Sequence, residues 1–165
     1  MYTKLNIEVG KVASKSSIKP ELGCVAFYGD RTIATDSFRL LEVSAKGEDS
    51  ERLEKPVLYN YNLLKALGIK KSDEFEEGRI NHDGVQPVDA EYPDIDHVFK
   101  SADGLEYQEI HVNGQYLKEL LSVLEQLNSF KKVTLKIPTI PGRAMLIEAE
   151  GKEQRGRGLL MPMLK

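Results

Sequence analysis

Apolar residues recur along this chain at two spacings, one typical of amphipathic helices and the other typical of short strands. Spacings of three and four residues, as in Leu5, Val9 and Val12, predict helices with one apolar face. The strongest series is the run of leucines after Asn113, a suitable N-cap residue. The pattern predicts helices over residues 2–14, 60–67 and 113–127. It predicts strands over residues 23–28, 32–43, 56–59, 107–112, 133–137, 144–149 and 159–161.

Three stretches interrupt these regular elements. Asp36 and Ser37 break the second strand, which indicates a bulge or bend that turns the following residues outward. Residues 70–91 are acidic and polar without the ligand spacing of a metal loop, and we expect a solvated surface excursion there. Residues 92–99 are expected to form an extended linker, because Pro93 restricts the residue before it.

The final apolar run contains Met161, Pro162 and Met163. Proline donates no backbone hydrogen bond, so we expect strand pairing to stop at Pro162 or to continue only at a sheet edge. The two methionines have flexible thioether side chains, which suit a surface that binds variable peptides. The alternative is a strand that simply closes a core, and the composition of the tail alone favours that alternative.

The composition is that of a globular protein of ordinary domain size, with 165 residues, 41% hydrophobic and 30% charged. No apolar run approaches the roughly 20 residues that cross a bilayer, and residues 1–6 lack the apolar core of a signal peptide. The single cysteine, Cys24, lies in an apolar run, where a buried and inert thiol is expected. These features predict a cytoplasmic location. The net charge of −3 is not that of a typical nucleic-acid binder, although a local basic face stays open.

The sequence shows no recognisable catalytic or metal-binding pattern. His82, His97 and His111 share no metal-ligand spacing, and no glycine-rich phosphate loop occurs. No serine or cysteine has a nearby base in a recognisable motif, and Asp94 and Asp96 are expected to cap or form turns. The sequence therefore predicts a protein that is not an enzyme and holds no metal or cofactor.

Three stretches, at residues 33–40, 92–99 and 160–163, resemble in that order the bacterial DNA sliding clamp, the β subunit of the replicative polymerase. The first reads Ile-Ala-Thr-Asp-Ser-Phe-Arg-Leu, where the family has Ala-Thr-Asp-Gly-His-Arg-Leu in its middle domain. Tyr-Pro-Asp-Ile is similar to the family's Phe-Pro-Asp-Tyr linker, and Met-Pro-Met-Leu to its terminal Met-Pro-Met-Arg-Leu. The predicted helix at 113–127 is similar to the second helix of the last clamp domain.

The resemblance implies an α+β fold, a DNA-clamp-like domain of two helices packed on antiparallel β-sheets. Residues 1–67 resemble the front of the middle clamp domain, and residues 107–165 resemble the back of the last one. Residues 68–106 would then be a variable insertion and linker. Because a clamp chain has three such domains, the resemblance implies a reduced, single-domain protein over residues 1–165.

In the family, partner proteins dock a short peptide into an apolar pocket, and the matching positions here are candidate peptide-binding residues. They are Thr35, Ser37, Phe38, Arg39, Leu40, Pro93, Met161, Pro162 and Met163. Ser37 and Phe38 replace the family's Gly-His, and the phenylalanine is expected to fill part of the pocket. Leu164 and Lys165 replace Arg-Leu. These departures bear on peptide specificity and on binding itself.

Clamps line their ring with basic helices, and basic residues near the two matching helices here are candidates for DNA binding. They are Lys4, Lys11, Lys15, Lys118, Lys131 and Lys132. The alternative is that these are ordinary solvated lysines. Encircling a duplex would require several copies of this chain in a closed head-to-tail ring.

The sequence therefore predicts a non-enzymatic clamp-like binding protein in DNA replication or repair. It would act either as a processivity factor built from several copies or as a decoy that binds clamp-binding peptides. Its expected partners are those peptides, double-stranded DNA as a further candidate, and other copies of the chain, without a membrane. The alternative is a structural or assembly protein that keeps the fold without DNA or peptide binding.

Overall fold

The computed structural model describes residues 1–16, 18–47, 51–102 and 105–163. The chain divides into two compact units, unit 1 at Met1–Val98 and unit 2 at Phe99–Lys165. Each unit has its own antiparallel sheet and its own apolar core. The single clamp-like domain over residues 1–165 stays a prediction, since compact units are not by themselves separate domains.

Unit 1 begins with a strand and a short helix where the pattern predicted one helix over residues 2–14. Strand β1 is Tyr2–Thr3, helix α1 is Lys4–Glu8, and a 3-10 helix follows at Val9–Val12. The tighter turn brings Gly10 against Tyr61, whose nearest ring atom lies 2.1 Å from the position of an added Cβ. Any side chain at Gly10 would therefore push this segment away from the rest of the unit.

A four-stranded antiparallel sheet forms the centre of unit 1. Its strands are β2 (Cys24–Phe27), β3 (Arg31–Thr35), β4 (Leu40–Ser44) and β5 (Val57–Asn60). They lie in the order β4-β3-β2-β5, and all four residues of β2 are buried. Val25 and Phe27 belong to one apolar cluster, whereas Cys24 and Ala26 belong to a second. Because side chains alternate along a strand, the two clusters cover opposite faces of the sheet.

Residues 32–43 form a hairpin, not a single interrupted strand. β3 and β4 pair antiparallel, with Thr35 opposite Leu40. The interruption predicted as a bulge or bend is a full reversal of the chain at residues 36–39. Ser37 permits it by adopting a left-handed backbone conformation with φ of 75°.

Helix α2 (Tyr61–Ala66) confirms the helix predicted after Asn60. The Asn60 side chain accepts the backbone N–H groups of Asn62 and Leu63 at 3.0 and 3.4 Å, which satisfies two donors that the helix leaves open. Gly68, with φ of 65°, follows the helix in the left-handed conformation typical of a C-terminal glycine.

The acidic segment at residues 70–91 packs into the core of unit 1, so the predicted solvated excursion is wrong. It contains strand β6, Glu74–Phe75, and helix α3, Glu77–His82. β6 pairs with β1, and Phe75, Ile80 and Val85 are buried in the cluster that also holds Phe27. Three widely spaced apolar side chains thus anchor a segment whose other residues are mostly polar.

The extended linker predicted at residues 92–99 is wrong from Ile95 onward. Helix α4 covers Ile95–Ala102, and the boundary between the two units falls within it. The Asp94 carboxylate accepts the backbone N–H of His97 at 3.1 Å, which confirms Asp94 as a capping residue. Ile95 is buried with Tyr92 on the second face of the unit 1 sheet.

Unit 2 is built on the helix that the leucine series predicted. Helix α5 covers Gly114–Leu124 and continues as a 3-10 helix at Glu125–Leu127. The Asn113 side chain accepts the backbone N–H groups of Gln115 and Tyr116 at 2.9 and 3.2 Å, so the predicted N-cap is confirmed.

A three-stranded antiparallel sheet supports α5. Its strands, in sheet order, are β7 (Thr134–Lys136), β8 (Met145–Glu150) and β9 (Arg155–Leu160). β9 begins earlier than predicted and ends before Pro162, as the missing backbone donor requires. On β9, an added Cβ at Gly156 would lie 2.6 Å from the Leu124 side chain. Gly156 therefore lets α5 pack closely on the sheet.

The strand predicted at residues 107–112 is wrong, because the structure assigns neither helix nor strand to this segment, all of which it describes. The Met163 N–H donates to the His111 carbonyl at 2.7 Å, and the Gln108 side-chain amide donates to the Pro138 carbonyl. The helices and antiparallel sheets of the two units confirm the predicted α+β class. Within the described ranges, no helix is long and apolar enough to cross a membrane.

Candidate functional site

The first candidate motif forms a tightly bonded turn between β3 and β4. The Thr35 hydroxyl donates to the Arg39 carbonyl at 2.8 Å and accepts the Ser37 N–H at 3.1 Å. The Asp36 carboxylate accepts the N–H groups of Phe38 and Arg39, each at 3.1 Å, and pairs with the Arg39 guanidinium at 3.0 Å. The turn is therefore held from both sides by side-chain hydrogen bonds.

The charge state of Asp36 matches this role. Burial by itself raises the pKa of the Asp36 carboxyl, but the two backbone donors and the Arg39 guanidinium outweigh it and hold the pKa below its usual value. The carboxylate thus stays ionised and keeps the turn braced at neutral pH.

Phe38 stands at the tip of this turn with 96% of its side chain exposed. Nearly the whole ring faces solvent, and the expectation that Phe38 fills part of a peptide pocket stays a prediction. Thr35 is buried, and Leu40 packs partly buried on the cluster that contains Tyr92 and Ile95. The turn therefore has a fixed base and a projecting aromatic tip.

Pro93 lies on the same unit, at the rim of a groove of about 800 Å³. Its neighbour Tyr92 is buried, which raises the pKa of the phenol, and the Thr35 backbone nearby offsets part of that shift. The first motif and the linker proline are thus close neighbours in unit 1. Acidic side chains, among them Glu54, Asp89 and Glu91, surround the groove.

The tail motif lines a separate groove within unit 2, which we call the tail groove. It has a volume of about 790 Å³ and runs between α5 and the end of β9. The residues that line it are Asn113, Tyr116, Glu119, Leu120, Val123, Leu124, Arg157, Gly158, Leu159, Leu160, Met161, Pro162 and Met163. The structure therefore brings Met161, Pro162 and Met163 together with α5 in one groove.

Helix α5 carries a second apolar stripe that the sequence interpretation missed. Leu117, Leu121 and Leu124 pack towards the sheet, whereas Tyr116 and Val123 are exposed on the groove side. The signal was present in the sequence, because Tyr116, Leu120 and Val123 are spaced by four and three residues beside the leucine series. Helix α5 is therefore apolar on two sides of its circumference, of which only one packs on the sheet.

The candidate DNA-binding lysines do not lie along two helices. In unit 1, Lys4 begins α1, Lys11 lies in the 3-10 helix with a 2.9 Å ion pair to Glu8, and Lys15 follows in the loop. In unit 2, Lys118 is exposed on α5, while Lys131 and Lys132 lie in the turn after the helix, where Lys131 contacts Glu125 at 3.4 Å. Two of the six charges are thus already paired within the chain.

The described part of the chain offers no group of three or more histidine, cysteine or acidic side chains that could hold a metal ion. Cys24 is fully buried, and burial raises the pKa of its thiol to about 11. A neutral thiol without solvent contact is a poor nucleophile. Cys24 therefore has a packing role.

Solved structures with the same fold include β subunits of bacterial DNA polymerase III. The β subunit of Borrelia burgdorferi, solved in complex with a natural product, is 15% identical over 96% of this chain and 45% of its own, with a TM-score of 0.63. The β subunit of Streptococcus pyogenes is 14% identical over 99% of this chain and 49% of its own, with a TM-score of 0.62. This chain has the fold of the polymerase III β subunit.

The predicted resemblance to the DNA sliding clamp is thereby confirmed for the fold, over nearly the whole chain. The chain spans about half the length of the β subunits it matches. No protein-family model matches the sequence, and no curated protein matches it either.

Proposed function

We propose that this chain is a non-enzymatic, clamp-like binding protein of DNA replication or repair that docks short apolar peptides of partner proteins. The tail groove of unit 2 is the observation that carries the proposal. Thr35, Ser37, Phe38, Arg39, Leu40 and Pro93 are the peptide contacts proposed in unit 1. The fold of the polymerase III β subunit supports the replication setting.

The lining of the tail groove fits a short apolar peptide. Exposed Tyr116, Val123, Leu159 and both tail methionines line an open space, and Glu119 and Arg157 are the charged residues of its lining. Exposed apolar side chains gathered in one concave surface favour binding, because covering them removes apolar area from water. Methionine side chains repack at low energetic cost, which lets one groove accept related peptides.

The test is a titration of a fluorescent peptide, glutamine followed by a leucine-rich segment ending in phenylalanine, measured by anisotropy. Met163→Ala removes one wall of the groove and leaves intact the backbone bond from Met163 to the His111 carbonyl. We expect affinity to fall by about 1–3 kcal/mol, as for truncation of an interface anchor. Ile140→Ala, an exposed apolar residue outside the groove, is the matched control and should bind like the natural chain.

Equal affinity of the natural chain and Met163→Ala would remove the tail groove from the proposal. Absence of binding by the natural chain at high protein concentration would favour a structural or assembly protein that keeps the fold alone.

We propose further that several copies of the chain contact double-stranded DNA through Lys4, Lys15, Lys118 and Lys132, with Lys11 and Lys131 as weaker contributors. The last two already have carboxylate partners, Glu8 and Glu125. Phosphate contacts release counterions, so duplex affinity should fall steeply as salt rises. A flat salt response would exclude these lysines as phosphate contacts.

A further inference from the structure

The tail groove has one charged residue on each of its two walls. Glu119 lies on α5, within one helical turn of both Tyr116 and Val123, and Arg157 lies on β9. Among the described residues, the rest of the lining carries no charge. A peptide in this groove would therefore meet an anion on the helix side and a cation on the strand side.

Arg157 lines the groove because β9 is an edge strand of its sheet. Side chains alternate along a strand, and the Cα positions of Gly156 and Gly158 face the leucines of α5, so Arg157 and Leu159 point away from the helix. Both of these residues nevertheless line the tail groove. The groove therefore extends from α5 over the edge of β9.

The two charged side chains differ in what they already contact. One Glu119 carboxylate oxygen accepts the Gln115 side-chain amide at 2.8 Å. Within the described part of the chain, the Arg157 guanidinium has no direct hydrogen-bond or ion-pair partner. Its neighbour across the β8–β9 ladder is Glu148, and that carboxylate is already bonded to the Lys136 ammonium. Lys136 is the main cause of a Glu148 pKa below the usual value, and Arg157 adds a smaller effect. The N–H donors of Arg157 are therefore open to a ligand.

We propose that the tail groove selects peptides that carry a carboxylate beside their apolar residues, and that Arg157 binds this carboxylate. This inference rests on the proposed function, because it names the chemistry of the peptide that the same groove takes. A guanidinium presents parallel N–H donors that match the two oxygens of a carboxylate. Glu119 repels a carboxylate on the helix side, so the two charges together determine where the peptide can carry its negative charge.

The strand geometry gives the position of the carboxylate within the peptide. Arg157 and Leu159 lie two positions apart on the same face of β9, and Leu159 is an exposed apolar residue of the groove. Two residues of a strand span about 7 Å, and an extended peptide has the same rise. The peptide carboxylate should therefore lie two residues from the apolar side chain that contacts Leu159.

The experiment measures the affinity of two pairs of fluorescent peptides by anisotropy. In the first pair, glutamate or glutamine lies two residues before the first leucine of the peptide, and in the second pair it lies two residues after the final phenylalanine. The members of a pair have the same size and differ by one charge. In at least one pair, the natural chain should bind the glutamate peptide about two- to fivefold more tightly, as expected for an exposed ion pair. This preference should shrink as the salt concentration rises.

Three variants test the assignment to Arg157. Arg157→Gln should make the two members of that pair bind equally, whereas Glu119→Gln should increase the preference, because it removes an anion from the groove. Arg155→Gln is the matched control. Arg155 lies on the same strand, but it contacts Glu150 at 2.8 Å and lines a different groove. The control should keep the preference of the natural chain.

Equal binding of glutamate and glutamine peptides in both pairs by the natural chain overturns this inference. It leaves the proposed function standing, because the groove still binds peptides. A preference that persists in Arg157→Gln, or that disappears in Arg155→Gln, also overturns the assignment, since the carboxylate would then be bound elsewhere. If none of the four peptides binds the natural chain, the proposed function fails and this inference fails with it.

Discussion

The Arg31 guanidinium donates to the Asp96 carboxylate at 2.7 Å and thereby joins the start of β3 to the first turn of α4. The same guanidinium approaches Glu42 at 3.2 Å and Asp30 at 3.7 Å, and it lies 5.3 Å from the centre of the Tyr28 ring. The positive charge of Arg31 thus lies close to three carboxylates from three parts of unit 1. Asp96 was expected to cap or form a turn, and its partners show that it anchors α4.

We expect Arg31→Met to destabilise unit 1 by about 1–3 kcal/mol, because Asp96 loses its hydrogen-bond donor and three carboxylates lose a nearby cation in a site where the arginine side chain is only 15% exposed. Methionine keeps much of the apolar stem, so the change reports mainly the lost charge. Urea unfolding followed by circular dichroism measures the difference in free energy.

The matched control is Arg52→Met. Arg52 also contacts Asp96, but its side chain is 48% exposed, so the pair is screened by solvent. Its loss should change the free energy of unfolding by at most about 1 kcal/mol. Equal effects of the two substitutions would contradict the central role of Arg31.

Local patterns predicted the elements whose signals are contained in a short stretch of sequence. Asn60 and Asn113 each precede an apolar helical series, and both cap the helices that they predicted. Strands β2, β5, β7 and β8 also lie where apolar runs placed them. These elements need no distant residue to be recognised.

The elements that the sequence did not predict are of two kinds. One forms through a contact between residues far apart in the chain, and the other has apolar residues at helical spacing that were taken as an extended segment. Strand β6 forms because Phe75 pairs with Tyr2, more than seventy residues away in the chain. The residues around Phe75 are acidic, so the local pattern did not indicate a strand there. In α4, Ile95, Val98 and Phe99 have helical spacing after the capping Asp94, but Pro93 favoured an extended interpretation. The helical period was the better guide.

The tail groove contains tail residues that the sequence had singled out and helix residues that it had not. Met161 and Met163 lie in the tail groove, as an adaptable apolar surface requires. Tyr116 and Val123 were overlooked because the stronger leucine stripe accounted for α5 as a core helix. The sequence predicted that the residues after Asp36 and Ser37 turn outward, and Phe38 is 96% exposed. The left-handed conformation of Ser37, which makes the turn a full reversal, cannot be inferred from residue type.

Gly156 permits the contact between β9 and α5, and we expect Gly156→Ala to destabilise unit 2. The new methyl group would lie 2.6 Å from a Leu124 methyl carbon and 2.7 Å from a Leu127 methyl carbon, so these two side chains must repack or the helix must shift. Overpacking of this kind costs about 1–3 kcal/mol. Urea unfolding of the full chain measures the loss, and hydrogen exchange of the α5 amides locates it.

Gly114→Ala is the control in the same unit. An added Cβ at Gly114 meets no atom within 4 Å, and alanine favours the helix that begins there. The substitution should be neutral or slightly stabilising. A similar loss in both variants would mean that glycine content, and not the contact with α5, sets the stability of unit 2.

Cys24 should react with a disulfide reagent such as DTNB only when the chain unfolds. Its thiol is fully buried, it donates to the Pro20 carbonyl at 3.3 Å, and burial raises the pKa from 9.0 to about 11. The pKa of the Cys24 thiol is higher in the folded chain than in the unfolded chain. The contribution of the neutral thiol to the free energy of unfolding is therefore complete below about pH 9 and is lost as the pH rises towards 11. At pH 8 the native chain should therefore react slowly and the urea-unfolded chain at once.

The control is Ile18→Cys in a Cys24→Ala chain. It places a thiol at an exposed position and should react at once when folded. Rapid reaction of native Cys24 at pH 8 would show that unit 1 opens at β2 far more readily than its packing on both faces of the sheet allows.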